Sequence, residues 1–205
     1  MTSLINKDCI IKKIPETEIT IVDNLFVDYV VDILRLRMQL ATKFNQIYSS
    51  YAAIDYFVNN DQLTKDISIE MADRFNLKDF RRAWSFVYDN VGEGTDFHAD
   101  PSNINVNIWV TPDSAILNYN KNGLVICNKK PPNDWTREQW NGNEDNCIYN
   151  FLKEKEHFNT KIEYKCNRAI LFDGALFHKT DDVETKDGVF NKRVSYTMLY
   201  GRTLE

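Results

Sequence analysis

The chain has no block of lysines or arginines, no closely paired cysteines and no long apolar run. Each absence excludes something. A net charge of −5 over 205 residues argues against a nucleic-acid backbone as the main partner. Such partners leave a basic footprint, and only a local basic rim remains compatible with this composition. The four cysteines are Cys9, Cys127, Cys147 and Cys166; none forms a CxxC pair or has zinc-ligand spacing to a histidine. They read as free thiols in a reducing compartment. The first eight residues lack the apolar core of a signal peptide, and no stretch is apolar enough to span a bilayer. The expectation is a soluble cytoplasmic protein. No internal repeat or low-complexity segment is visible. Histidine is scarce: three in all, His98, His157 and His178.

Hydrophobic residues make up 43% of the chain, which allows a sizeable core and one domain over residues 1–205. The 12 Phe, 10 Tyr and 4 Trp favour a β-rich interior. A short strand is expected over 18–22, with Asp23 and Asn24 capping a helix that carries Leu25, Tyr29, Val30, Ile33, Leu34, Leu36, Met38 and Leu40. More helix is expected over Phe44–Phe57, and a short one over Ile67–Phe75.

The character changes near residue 82. Trp84, Phe86 and Tyr88 alternate as on one face of a strand, and Val91–Thr95 reads as a turn. Ile104, Val106, Ile108 and Val110 then alternate with Asn105, Asn107 and Trp109. Further strands are expected over 123–127, 161–164, 169–172 and 194–200, with a polar insertion at about 129–160 that holds a helix over Ile148–Lys155. Helices followed by short strands make an α+β chain. Residues 1–80 would be mainly helical support and 81–203 the β core.

Two short segments carry the candidate chemistry. His98 and Asp100 form a His-x-Asp after a strand, and His178 ends the run Asn167–His178. Two imidazoles and one carboxylate on one face of a metal leave the opposite face open, as suits Fe(II) chemistry with a cosubstrate and oxygen. Arg193 opens the next strand and can grip a dicarboxylate by its far end. Ser195 shares its face; Lys192 is the rival anchor but points the other way. A lone His-x-Asp is a weak signal; the three features together are stronger. His157 lies in a polar stretch and reads as solvated.

This pattern resembles the Fe(II)- and 2-oxoglutarate-dependent dioxygenases, which have a double-stranded β-helix (jelly-roll) core. The resemblance covers about residues 82–201, with the N-terminal helices packed on the core matching loosely. It implies that His98, Asp100 and His178 bind iron, and that Arg193 with Ser195 holds the far carboxylate of 2-oxoglutarate. The run from Tyr88 to Asp100 resembles the prolyl-hydroxylase-like branch, in which the tyrosine lies beside 2-oxoglutarate. Tyr88 reads equally as a core aromatic of the Trp84/Phe86 stripe. Asn105 or Asn107 can face the pocket, with Asn107 the candidate cosubstrate contact; a solvent-facing edge reads as well. Trp109 is pocket wall or core. Other segments, Trp109–Ala115 and Asn122–Ile126 among them, resemble a bacterial subgroup of the superfamily. One departure is Asn122-Gly123, where two glycines are expected.

The implied activity is hydroxylation of a C–H bond with release of succinate and CO2, using Fe(II), 2-oxoglutarate and O2. The aspartate at position 100 disfavours halogenation, which needs a small residue there to admit halide. The branch tilts the substrate towards a peptide or protein side chain, an amino acid or a small metabolite. A nucleic acid is disfavoured by charge, and no membrane is involved. The competing readings are a cupin-like metal protein, an isomerase or ligand-binding module without 2-oxoglutarate turnover, and a silent β-sandwich binding module.

Overall fold

A computed structural model describes residues 3–56 and 61–202. The chain opens with strands β1 (Ile10–Lys13) and β2 (Thr20–Asp23), then helix α1 (Asp28–Gln39). Strands β3 (Gln46–Ile47) and β4 (Tyr51–Tyr56) precede helix α2 (Gln62–Phe75). Then come β5 (Phe80–Tyr88), β6 (Val91–Gly92), β7 (Ile104–Trp109) and β8 (Leu124–Cys127). The insertion carries α3 (Arg137–Trp140) and α4 (Cys147–Glu154). The chain returns through β9 (Asn159–Ile162), β10 (Arg168–Phe172), β11 (His178–Thr180), β12 (Val183–Glu184) and β13 (Val194–Tyr200).

The large sheet runs β1-β2-β10-β7-β13-β5-β4-β3, beside a three-stranded sheet β11-β8-β9 and a β12-β6 pair. These pairings are antiparallel. The alternation along β7 explains the layering. Val106 and Ile108 join one apolar cluster with Val30, Leu34 and Met38 of α1 and Ile67 and Met71 of α2. Trp109 points the other way, into a second cluster with Leu124 and Ile126 of β8 and Ile162 of β9. Helices therefore cover one face of the large sheet, and the small sheet packs on the other. No described helix is long and apolar enough to cross a membrane.

Several expectations are corrected. The segment read as helix from Phe44 contains β3 and β4, with Phe57 outside the described residues. Its backbone pairs with the free edge of β5, Tyr51 opposite Tyr88 and Ala53 opposite Phe86, and this outweighs the local pattern. Helix α1 starts later than expected, after Val27, with no side-chain cap. Asp23 and Asn24 do other work: Asp23 accepts from Arg168 Nε at 2.6 Å, and Asn24 turns the chain with φ 58°. The buried stripe of α1 is Val30, Leu34 and Met38, whereas Tyr29, Ile33 and Leu40 are exposed. Helix α2 begins before the expected Ile67 because Asp61 caps it, accepting from Thr64 N. Val91–Gly92, read as part of a turn, pairs with β12. His178 opens a strand rather than closing one.

Candidate active site

His98 and His178 come from distant segments and are joined by their backbones. His98 N donates to His178 O at 3.0 Å and His178 N to His98 O at 2.8 Å, a single antiparallel bridge. The ring centroids are 4.3 Å apart. One ligand atom from each of His98, Asp100 and His178 lies within 4.8 Å of the others. Asp100 N donates to Gly174 O at 2.7 Å, which ties its position to the turn before β11.

The imidazoles are oriented alike. Nδ1 of His98 lies 2.7 Å from Asp96 O, and Nδ1 of His178 lies 2.8 Å from Leu176 O. A carbonyl can only accept, so each Nδ1 carries a proton, which makes Nε2 the lone-pair nitrogen of the neutral ring. That is the tautomer a metal needs. Loss of hydration, reinforced by the His178 ring, pushes His98 below its ordinary value and keeps it neutral. Burial by itself would raise the Asp100 carboxyl. Close contact with His178, the nearby His98 ring and the Asn105 amide together outweigh that and hold it lower. Asn105 Nδ2 donates to Asp100 Oδ2 at 2.6 Å. The cluster thus offers two imidazole nitrogens, that of His98 held neutral, and an ionised carboxylate.

The insertion braces these segments. Phe97 and Phe177, the residues before the two histidines, share an apolar cluster with Trp140 of α3 and Ile148 and Leu152 of α4. Ala99 N donates to Trp140 O at 2.8 Å, and Asn141 Nδ2 to Ala99 O at 3.0 Å. On the other side, a Cβ on Gly94 would lie 2.3 Å from Thr180 O, so only glycine lets the loop approach β11 so closely.

Arg193 lies deeper, just before β13, and is fully buried. Its Nε donates to Asn122 O at 2.8 Å, while Nη1 and Nη2 have no partner among the described residues. Three rings surround the guanidinium: Tyr88 at 4.7 Å, Trp109 at 5.6 Å and Tyr164 at 5.6 Å. Ser195 Oγ and Trp109 Nε1 are also buried without partners among the described residues, and these two residues face each other across β13 and β7. A buried cation with two unused donors is costly unless an anion completes it. Lys192 is directed away, 2.8 Å from Asp89.

Tyr88 is a buried aromatic of the Phe86 stripe, 6.1 Å from that ring. It is buried beside Arg193, and its hydroxyl is 3.2 Å from Thr180 Oγ1. Asn107 lies on the same sheet face as Asn105 and Trp109; its Nδ2 donates to Thr197 Oγ1 at 3.1 Å and its Oδ1 is buried with no partner among the described residues. His157 is not drawn in; its ring bonds to Lys155 O. Neither the place of Tyr164 beside Arg193 nor the buttressing role of the insertion is evident in the sequence, where Asn122 stands only as a departure from glycine. Asn122 sits at φ 67°, a conformation asparagine tolerates, and its side chain bonds Asn118 O and Glu184 O. The expected turn survives, and its carbonyl aims Arg193.

A cavity of about 620 Å³ opens from His98 and Asp100 between the aromatic face of β4–β5 and the Trp140–Asn143 end of α3. No family model and no curated protein matches the chain. Solved structures do. HygX from Streptomyces hygroscopicus, with nickel and 2-oxoglutarate bound, superposes with a TM-score of 0.61 at 8% identity, over 91% of this chain and 84% of that one. The epimerase SnoN, in complex with Fe3+, alpha ketoglutarate and nogalamycin RO, gives 0.66 at 10% identity, over 91% and 79%. A prolyl hydroxylase from Trichoplax adhaerens, in complex with a hypoxia inducible factor peptide, gives 0.55 at 12% identity, over 91% and 84%.

The chain has the fold of the Fe(II)- and 2-oxoglutarate-dependent oxygenases. Its antiparallel sheets with few helices correspond to their jelly-roll core. The donor set of His98, Asp100 and His178, with the orphaned nitrogens of Arg193, fits the metal and the dicarboxylate seen in such structures.

Proposed function

We propose that the protein is an Fe(II)- and 2-oxoglutarate-dependent oxygenase that hydroxylates a C–H bond of an amino acid, a peptide side chain or a small metabolite. The observation that carries the reading is Arg193: a buried guanidinium with two unused nitrogens, in the same interior as a His-Asp-His cluster. The fold shared with HygX, SnoN and the prolyl hydroxylase supports it.

In this reading His98 Nε2, Asp100 and His178 Nε2 hold the iron. Arg193 Nη1 and Nη2 take the C5 carboxylate of 2-oxoglutarate as a fork, with Ser195 Oγ as a further donor. The Tyr88 ring flanks the guanidinium and fixes the plane of that fork. Asn107 offers its unpaired Oδ1 on the sheet face between the two ends of the site. Bound iron supplies activation of O2, so that 2-oxoglutarate, O2 and a substrate C–H become succinate, CO2 and an alcohol. The protein keeps the His98 imidazole neutral, holds Asp100 ionised, and closes the cosubstrate end to water. A cupin-like protein without 2-oxoglutarate turnover would leave Arg193, Ser195 and Trp109 with no use for their free donors.

The test is calorimetric titration of 2-oxoglutarate into the Mn(II)-loaded protein. The native protein binds it, and Arg193→Met binds at least about 100-fold more weakly, as expected when a buried charged contact worth ~3–5 kcal/mol is lost. Equal binding by the two proteins, or none by a native protein shown to hold metal, would overturn the proposal.

A further inference from the structure

The cavity beside the proposed iron site differs in character from the rest of the chain. Overall the protein is acidic, at −5, and lysines outnumber arginines. The cavity wall holds four of the chain's nine arginines, Arg81, Arg82, Arg137 and Arg202, and none of its lysines. Besides Asp100 in the metal cluster, only Asp55 and Asp96 oppose them there. Both are engaged. Asp55 accepts from Arg82 at 2.7 Å. Asp96 accepts from Tyr149 Oη, Phe97 N and Asn143 Nδ2. Arg81 and Arg137 have no ion-pair partner among the described residues. Cationic charge is therefore in excess, and it is all guanidinium, the group that forks onto carboxylate or phosphate.

The facing wall is aromatic and continuous. Tyr48 stacks on Tyr51 at 4.4 Å, Tyr51 meets the Phe86 ring at 5.1 Å, and Phe86 meets Trp84 at 6.4 Å. Arg82 lies over Trp84 at 5.4 Å. Cross-strand register gives the spacing. Arg82 is opposite Leu199, and Leu199 is opposite Asn105, whose amide holds Asp100. Two strand spacings of ~4.8 Å put the Arg82 backbone about 10 Å from that of Asn105. A volume of about 620 Å³ suits one small molecule.

We infer that the substrate is a small planar-ring compound bearing a carboxylate or phosphate, its ring against the Tyr51–Phe86–Trp84 wall and its oxyanion on the Arg82/Arg137 side. This rests on the oxygenase reading for the chemistry at the other end. The ring presents a C–H bond to the metal cluster while the arginines fix its distal end.

The test uses the metal-free protein, with 2-oxoglutarate added in excess to fill any Arg193 site, and reads fluorescence of Trp84 and Trp140 in the cavity wall. The probes are phenylacetate, phenyl phosphate, phenylacetamide and cyclohexylacetate. One of the two ring oxyanions should bind at least about tenfold tighter than phenylacetamide, the equivalent of one charge-assisted contact. Phenylacetate should also bind tighter than cyclohexylacetate. Arg82→Gln with Arg137→Gln should remove the preference for anions; Arg137→Gln alone, at an exposed site without an ion pair, should weaken it with the fold intact. Tighter binding of phenyl phosphate would mark a phosphorylated substrate, and of phenylacetate a carboxylic acid. Equal affinity for phenylacetamide, or a preference that survives both substitutions, would overturn the inference. If 2-oxoglutarate still binds the Mn(II)-loaded protein, the oxygenase reading stands without it. If the anion preference holds but 2-oxoglutarate does not bind, the oxygenase reading fails and the cavity assignment remains.

Discussion

His98 and His178 hold each other by two reciprocal backbone hydrogen bonds, at 3.0 and 2.8 Å, so the approach of their two segments does not depend on their side chains. Each ring is then turned by the carbonyl two residues before it. The site is therefore built by main chain first and by imidazole second.

That order makes a prediction for His178→Ala. The bridge survives, so far-UV circular dichroism should be unchanged and the melting temperature should shift by only about 3 °C. Iron affinity should fall by more than the ~10–100-fold that losing a supporting residue costs. Titration of Fe(II) under anaerobic conditions reads it. A variant that unfolds, or that binds iron normally, would contradict the account.

Arg193→Met should separate stability from binding. The native protein without ligand carries an unpaired buried charge, and an apolar side chain of similar length removes that cost. The ligand-free variant should melt no lower than the native protein, yet 2-oxoglutarate should no longer raise its melting temperature. A loss of several kcal/mol in the ligand-free state would mean that the guanidinium is already satisfied.

The insertion should matter to the metal. Leu152 packs in the cluster with Phe97 and Phe177, whereas Leu34 packs under the opposite face of the large sheet. Leu152→Ala and Leu34→Ala should each cost ~2–5 kcal/mol in denaturant unfolding. Only Leu152→Ala should also weaken metal binding, by roughly tenfold, as for a residue that supports ligands. Equal metal affinity in both variants would show that the insertion does not position the histidines.

Asp23 should govern part of the acid response. Burial would raise its carboxyl, but Arg168 and Lys165 beside it more than offset this and hold it below the usual value. A carboxyl lowered in the folded state contributes stability that is present above its unfolded value, near pH 4, and is lost as pH falls through the folded value. Asp23→Asn should therefore cost about 1–3 kcal/mol at pH 7 and progressively less below pH ~4. A difference from native that stays constant down to pH 2 would contradict it.

The sheet and the site were legible in the sequence to different depths. The strict alternation of Ile104–Val110 exposed β7 because both its faces are lined by distinct layers. His98, Asp100, His178 and Arg193 stood out because few residue types can do their chemistry. The strands at Gln46–Ile47 and Tyr51–Tyr56 were hidden, since β4 exists through its pairing with β5, a long-range contact that no local window contains. Asp23 looked like a helix cap for the same reason: its partner Arg168 is far along the chain. The polar insertion concealed its role too. Few of its residues are deeply buried, Trp140, Ile148 and Leu152 among them, and nothing local shows that these meet Phe97 and Phe177.

The most direct test of the central claim is the visible spectrum of the protein mixed anaerobically with Fe(II) and 2-oxoglutarate. The account predicts a weak metal-to-ligand charge-transfer band that needs both components, is absent in His178→Ala and is weakened in Arg193→Met. No band from a folded protein with bound iron would contradict the joint assignment of the metal cluster and the Arg193 pocket.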